Sequence, residues 1–166
     1  MNQVWLADIT YIRIRSGFVY LAGILDAYSR RVVGYAISAD LENSLTIEAL
    51  HMALEHRRPT PGIIHHSDQG VQYASLGYVA ELHRYGFMIS MSRRGNPYDN
   101  ATMESFFKTL KYKEVYLFDY ETMVDVRERL PYFIEEVYNR KRLHSTLGYL
   151  SSVNFEQPAL SYKNRE

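Results

Sequence analysis

The sequence predicts a single α/β domain on a five-stranded mixed sheet, three antiparallel strands followed by two parallel ones, flanked by helices. Three observations carry this. Near the start, three runs rich in β-branched and aromatic residues follow one another with only short turns between them, which is the pattern of a meander. Two later apolar runs, Gly62 to Ser67 and Phe87 to Met91, each follow a segment with helical spacing, as crossovers onto parallel strands require. At 166 residues and 46% hydrophobic content, the chain is long enough to close one core and is most simply one domain.

The first strand is Val4 to Ile12, and its period of two places Leu6, Asp8, Thr10 and Ile12 on one face. An ionised Asp8 in mid-strand is costly to bury unless something satisfies it. It is either a partly wet carboxylate bonded to a hydroxyl such as Thr10 or a functional group. Ser16-Gly17 reads as a hairpin turn, and Phe18 to Leu25 is apolar on both faces, hence a central strand. Asp26 to Arg30 turn the chain into a third strand, Arg31 to Ile37. Asp26 caps that turn, with a site role held only in reserve.

Asn43 or Ser44 is positioned to cap a helix that carries Leu45, Ala49, Met52 and Ala53 inward and ends at Arg57-Arg58 before Pro59. Asp68 lies just beyond the following strand, at the strand end where ligands collect in sheets with helix crossovers. Ser75 caps the next helix, which stops at Gly86. His65 and His66 point to opposite strand faces, so they read as structural histidines rather than ligands of one ion.

Gly95, Asn96 and Pro97 exclude regular structure before Asp99 or Asn100, either of which can cap the next helix. There Ala101, Met103, Phe106, Phe107 and Leu110 form an apolar side, while Glu104, Lys108 and Lys111 share a polar stripe. Such a stripe is either a solvated face with an ion pair or a carboxylate backed by two cations. A last long helix runs from Tyr120 to about Arg142, capped by Asp119 and kinked by Pro131. Residues 1–157 are expected to form the domain, with 158–166 a frayed tail.

Composition narrows the function. Nineteen basic and nineteen acidic residues give a formal net charge of zero, so any nucleic-acid surface must be local. The absence of cysteine excludes disulfides and thiolate metal sites. No apolar run is long enough to span a bilayer, and a cytoplasmic, bacterial and nucleoid-associated setting without membrane contact is expected.

Three carboxylates then stand out: Asp8 in mid-strand, Asp68 at a strand end and Glu104 on a helix, with 35 residues between the second and third. Together with the blocks Trp5-Leu-Ala-Asp-Ile-Thr-Tyr11, His66-Ser-Asp-Gln-Gly-Val-Gln-Tyr73, Ser90-Met-Ser-Arg-Arg-Gly-Asn96 and Tyr138-Asn-Arg-Lys-Arg-Leu-His-Ser145, they make the chain resemble the DDE transposase and integrase catalytic core. Within that group it is most similar to bacterial transposases related to insertion sequence three. Ser152 departs from the family pattern, which tends to have proline there. The usual N-terminal DNA-binding helical region is not among these residues.

The resemblance implies a ribonuclease-H-like fold, with Asp8, Asp68 and Glu104 as the catalytic and metal-binding triad. Mg²⁺ or Mn²⁺ is the implied cofactor, two ions per site about 3.5–4 Å apart, which activate water and stabilise the entering and leaving oxygens. The three carboxyl groups are expected to converge, Asp8 shared between the ions and Glu104 displaced when no metal is present. A 3′-OH freed by the first cut would then attack target DNA. Element ends and target DNA are the implied partners, with a homo-oligomer assembled on them. DNA contacts are expected from Arg93, Arg94, Lys108, Lys111, Arg140, Lys141, Arg142 and His144, with Lys111 nearest the reacting phosphate. A nuclease of the same fold without strand transfer, and an inactive DNA-binding remnant, are the alternatives.

Overall fold

The computed structural model describes residues 1–92 and 100–163. Strands β1 (Val4–Ile14), β2 (Gly17–Asp26) and β3 (Val32–Ser38) form the expected meander. Helix α1 (Asn43–Arg57) crosses to β4 (Ile64–Ser67), and the short α2 (Val71–Ala74) and α3 (Leu76–Arg84) cross to β5 (Met88–Met91). The five-stranded sheet has the order β3-β2-β1-β4-β5, so β1 is the middle strand. It runs antiparallel to β2 and parallel to β4, and β4 runs parallel to β5.

Alternation along the strands divides the core between the two faces. On one face Trp5, Ala7, Ala22 and Ile24 pack with Leu45, Ala49, Leu50 and Ala53 of α1 and Tyr78 and Leu82 of α3. Helix α1 sits so close to β3 that a Cβ at Gly34 would lie 2.8 Å from Ala53. On the other face Leu6, Ile12, Leu21 and Leu25 pack with α4 (Ala101–Leu110) and α5 (Met123–Tyr132). Burying each such aliphatic side chain contributes about 1.5–3 kcal/mol.

His65 faces the first of these layers. It is buried, its Nε2 lies 2.6 Å from the Tyr78 hydroxyl, and burial pushes its pKa down to about 4. It is thus the structural histidine that the sequence predicts.

Several helix ends differ from expectation. Helix α1 begins at Asn43 itself, with Glu42 in the cap position, so neither Asn43 nor Ser44 caps it. Ser75 does cap α3, accepting from the Tyr78 N–H at 3.3 Å. Asp119 does not cap the last long helix, which starts later, at Met123. There Thr122 is the cap, and the Asp125 carboxylate accepts from the Glu121 and Thr122 N–H groups at 3.0 and 3.1 Å. A carboxylate in the first turn reaching back serves the free N–H groups better than one further out in the chain.

Pro131 lies inside α5, and just after it the helix rewinds to a wider i→i+5 pattern over Phe133–Lys141. A proline has no N–H to give to the i→i−4 ladder, and the wider winding accommodates that loss. A similar wide turn, Lys111–Val115, follows α4. The last helix, α6 (Ser152–Lys163), continues past Gln157, so the boundary expected there falls inside a helix.

Candidate active site

The middle strand presents Asp8, half-buried, on the α4 face of the sheet. Strand β4 pairs with β1 only over Val4 to Leu6. Beyond Leu6 the outward N–H groups of β1 have no ladder partner on that side, and the Ile9 N–H donates to Asp8 Oδ1 at 2.8 Å. Thr10, the hydroxyl expected as its partner, does not satisfy Asp8.

Where β4 ends, the chain turns at Asp68, whose Oδ1 accepts from the Gly70 N–H at 2.8 Å. A Cβ at Gly70 would lie 2.8 Å from that oxygen, so a larger residue there would push the carboxylate aside. The Ser92 N–H donates to the Ser67 carbonyl at 2.8 Å and holds the β4 end in place.

Glu104 arrives on α4, whose apolar side docks over Gly23. That glycine is the cross-strand partner of Asp8, and a Cβ there would already touch Met103, Phe106 and Phe107 at 3.5–3.8 Å. The same layer therefore seats Glu104 above the strand that carries Asp8. Glu104 lies in the first turn of α4, with Asn100 at the cap position but making no side-chain cap bond. Asp99, the other capping candidate, lies outside the described residues.

The electrostatics follow from this placement. The Asp8 carboxyl is pushed up to about 6, chiefly by burial and with the charges of Asp68 and Glu104 adding to it, against the Ile9 hydrogen bond. None of the three is in a salt bridge among the described residues, and Glu104 makes no ion pair with Lys108. As placed, no three His, Asp or Glu side chains among the described residues stand close enough to hold a metal ion. The donor chemistry nonetheless fits a hard divalent cation: three carboxylates, two of them exposed, and a charge on Asp8 that an added cation would relieve.

Asp26 is excluded from this site. It is fully buried, accepts from the Asn2 and Tyr28 N–H groups at 2.8 and 3.0 Å, and pairs with Arg57 at 3.3 Å.

A family model described as an integrase core domain matches residues 1–97. The chain belongs to the integrase core domain family. A second integrase core model matches residues 85–151. Among curated relatives, the transposase for insertion sequence element IS904 of Lactococcus lactis subsp. lactis (strain IL1403) is 44% identical over 156 residues, 94% of this chain and 62% of the relative. Transposase InsF for insertion sequence IS3A of Escherichia coli (strain K12) is 41% identical over 160 residues, 96% of this chain and 56% of that protein. The chain thus spans less than two thirds of these relatives. Among solved structures, the bovine immunodeficiency virus (BIV) integrase catalytic core domain matches with a TM-score of 0.71 at 14% identity, covering 99% of each chain. A simian T-cell lymphotropic virus intasome chain matches with a TM-score of 0.73 at 19% identity, over 93% of this chain and 54% of that one. At such identities the likeness establishes the fold, which is the ribonuclease-H-like fold of the integrase cores.

The expected DNA-contacting residues fall into three groups. Lys108 is exposed on the helix of Glu104, and Lys111 reaches past the open edge of β1, its Nζ 4.9 Å from the centre of the Tyr11 ring. Arg140 pairs with Glu136 at 3.2 Å, while Lys141 is exposed and Arg142 half-buried. His144 is buried, and burial with the nearby Arg142 and Arg30 pushes its pKa down to about 4. A neutral, enclosed imidazole is unsuited to meeting a phosphate, so His144 is removed from the set. Arg93 and Arg94 lie outside the described residues. Sequence reasoning missed Tyr11, although its alternation with Asp8, Thr10 and Ile12 already turned it to the other face beside Arg13.

Proposed function

We propose that this chain is the catalytic core of a DNA transposase, a divalent-metal-dependent polynucleotidyl transferase that cuts element ends and joins the 3′-OH to target DNA. The observation that carries it is the set of three carboxylates without ion-pair partners among the described residues, from a middle strand, a strand end and a helix, with Asp8 raised by burial and by its neighbours' charge. Membership of the integrase core family and relatives named as transposases support the same reading.

Asp8, Asp68 and Glu104 would hold Mg²⁺ or Mn²⁺. When bound, such ions activate a nucleophilic hydroxyl and neutralise charge on the entering and leaving oxygens. The chain's own part is positional. The sheet fixes Asp8, the Gly70 turn orients Asp68, and the packing of α4 over Gly23 sets the height of Glu104. Lys108, one turn further along, supplies positive charge beside the acids, and Lys111, two turns along, supplies it at the open edge of β1, both for the phosphate backbone. Arg93, Arg94, Arg140, Lys141 and Arg142 complete the proposed DNA surface, and the protein works as a homo-oligomer assembled on DNA. With zero net charge, each phosphate contact adds about 0.9 to the slope of log affinity against log salt.

The test is incubation with Mg²⁺ or Mn²⁺ and labelled duplexes that carry intact or pre-cut element ends. Cleavage of the first and joining of the second are expected. Cleavage without joining would mark a nuclease of the same fold, and neither reaction from any oligomer would remove the activity.

A further inference from the structure

We propose that the outer face of the β1–β2 ribbon, opposite the face that carries Asp8, is a stacking platform for unpaired nucleobases of the DNA. The proposal rests on the reading of the chain as a DNA-processing core and adds a preference for distorted or single-stranded segments.

The strand register places Tyr11 opposite Tyr20 and Arg13 opposite Phe18. Trp5 and Ala7, earlier on the same face of β1, are covered by α1 and α3, but the cover ends before Tyr11. Tyr11 and Phe18 are therefore 58% and 52% exposed, large values for rings of this size. They meet edge to face, centroids 5.3 Å apart at 88°, an arrangement that leaves ring surface open rather than consumed in a stack.

Charge separates the possible occupants. No carboxylate lies on this face from Ile9 to Arg13 or from Phe18 to Tyr20. Among the described residues neither Arg13 nor Lys111 is in an ion pair, and Lys111 stands over the Tyr11 ring. The nearby Arg15 is the one partly spent cation, paired with Glu121 at 3.1 Å, and Asp119 lines the adjoining cleft. Open rings beside unpaired cations suit a ligand with π-faces and negative charge, which a nucleic-acid strand with unstacked bases has and a base-paired duplex, its faces already stacked, does not. Tyr11 is three residues from Asp8, about 10 Å along the strand but on the opposite face of the sheet, so a base held there would belong to a strand that passes round the open edge of β1 from the carboxylate site.

The test measures binding, without metal and without turnover. The full chain is titrated into a labelled blunt duplex, the same duplex with a short single-stranded extension, and that extension built from abasic units. The base-bearing extension is expected to bind about tenfold tighter than the other two, since one stacked base is worth roughly five- to 150-fold. Tyr11→Ala and Phe18→Ala should each remove most of this gain, and Phe18→Trp should keep it. Circular dichroism of each variant confirms that it folds.

No gain from the extension, an abasic extension that binds equally well, or variants that weaken blunt and extended duplexes alike would each overturn the proposal. So would variants that dissociate an oligomer with no change in base preference, which would assign the face to a second copy. Base preference without any metal-dependent cleavage leaves the platform and removes the activity reading. Cleavage without base preference does the reverse.

Discussion

Asp26 and Glu156 are as acidic as Asp8, Asp68 and Glu104, yet they live in an opposite world. Both are buried and share the Arg57 guanidinium, which reaches Asp26 at 3.3 Å and also pairs with Glu156. Glu156 further accepts from Arg31 at 2.7 Å and Ser29 at 2.6 Å. Burial alone would raise its pKa, but the bonds from Arg57, Ser29 and Arg31 hold it below the usual carboxylate range. Asp8 is raised by burial, with only one backbone donor to oppose it and two like-charged neighbours to add to it. The first group is neutralised by the chain itself; the second leaves its charge for something that binds. That contrast separates a structural acid from a functional one better than burial does.

The largest effect expected is on chemistry. Asp68→Asn and Glu104→Gln should reduce cleavage and joining to background, leave the metal-free Tm unchanged or higher, and shrink the stabilisation that Mn²⁺ confers on wild type by mass action. A clear fall in metal-free Tm with the Mn²⁺ response intact would place the altered residue in the structural group instead.

The structural group should answer in stability. Arg57→Ala strands two buried carboxylates and should cost about 3–5 kcal/mol, read by chemical denaturation. A cost under about 1 kcal/mol would mean that the network is no firmer than a surface ion pair.

The network was only half legible in the sequence. Asp26 was readable as a turn cap and does accept from Tyr28, but nothing local joins residues 26, 57 and 156, because the pairing exists only once α1 and α6 lie over the end of β2. The meander, the two crossover strands and the Ser75 cap were readable because period, turn residues and caps act over a few positions. Asp8, Asp68 and Glu104 were readable from their motif blocks, whereas the wide winding after Pro131 and the exposure of Tyr11 depend on packing.

A third experiment uses pH. The folded pKa of Asp8 is raised from 3.8 to about 6, so the favourable contribution of its neutral form is fully present below about 3.8 and is lost as pH rises through about 6. His65, with its folded pKa lowered from 6.5 to about 4, acts oppositely and costs stability as pH falls through that window. Comparing Asp8→Asn with wild type at each pH cancels the His65 part. The variant should gain on wild type by on the order of 1–3 kcal/mol between pH 4 and 7 without metal. A difference that stays flat with pH would mean that burial and the neighbouring charges do not raise Asp8.

The smallest effect tests the cap assignment. Asp125→Ala should cost about 1 kcal/mol, and Asp119→Ala should stay within about 0.5 kcal/mol of wild type. The reverse order would restore Asp119 as the cap.

The strand order also sets a sequence in time. Hairpin contacts within β1, β2 and β3 join residues close in the chain, whereas β4 reaches β1 only by closing a loop of some sixty positions, Val4 pairing with Ile64. Loops of that size close late in folding. Asp8 is therefore laid down in the early meander, and Asp68 meets it only when β4 docks. Their repulsion is absent from the rate-limiting barrier and present in the finished fold, so relieving it should slow unfolding and leave the refolding rate unchanged. In stopped-flow measurements on Asp8→Asn without metal, only the unfolding limb should move. The carboxylates proposed to hold the metal would thus shorten the lifetime of the folded chain until a cation arrives.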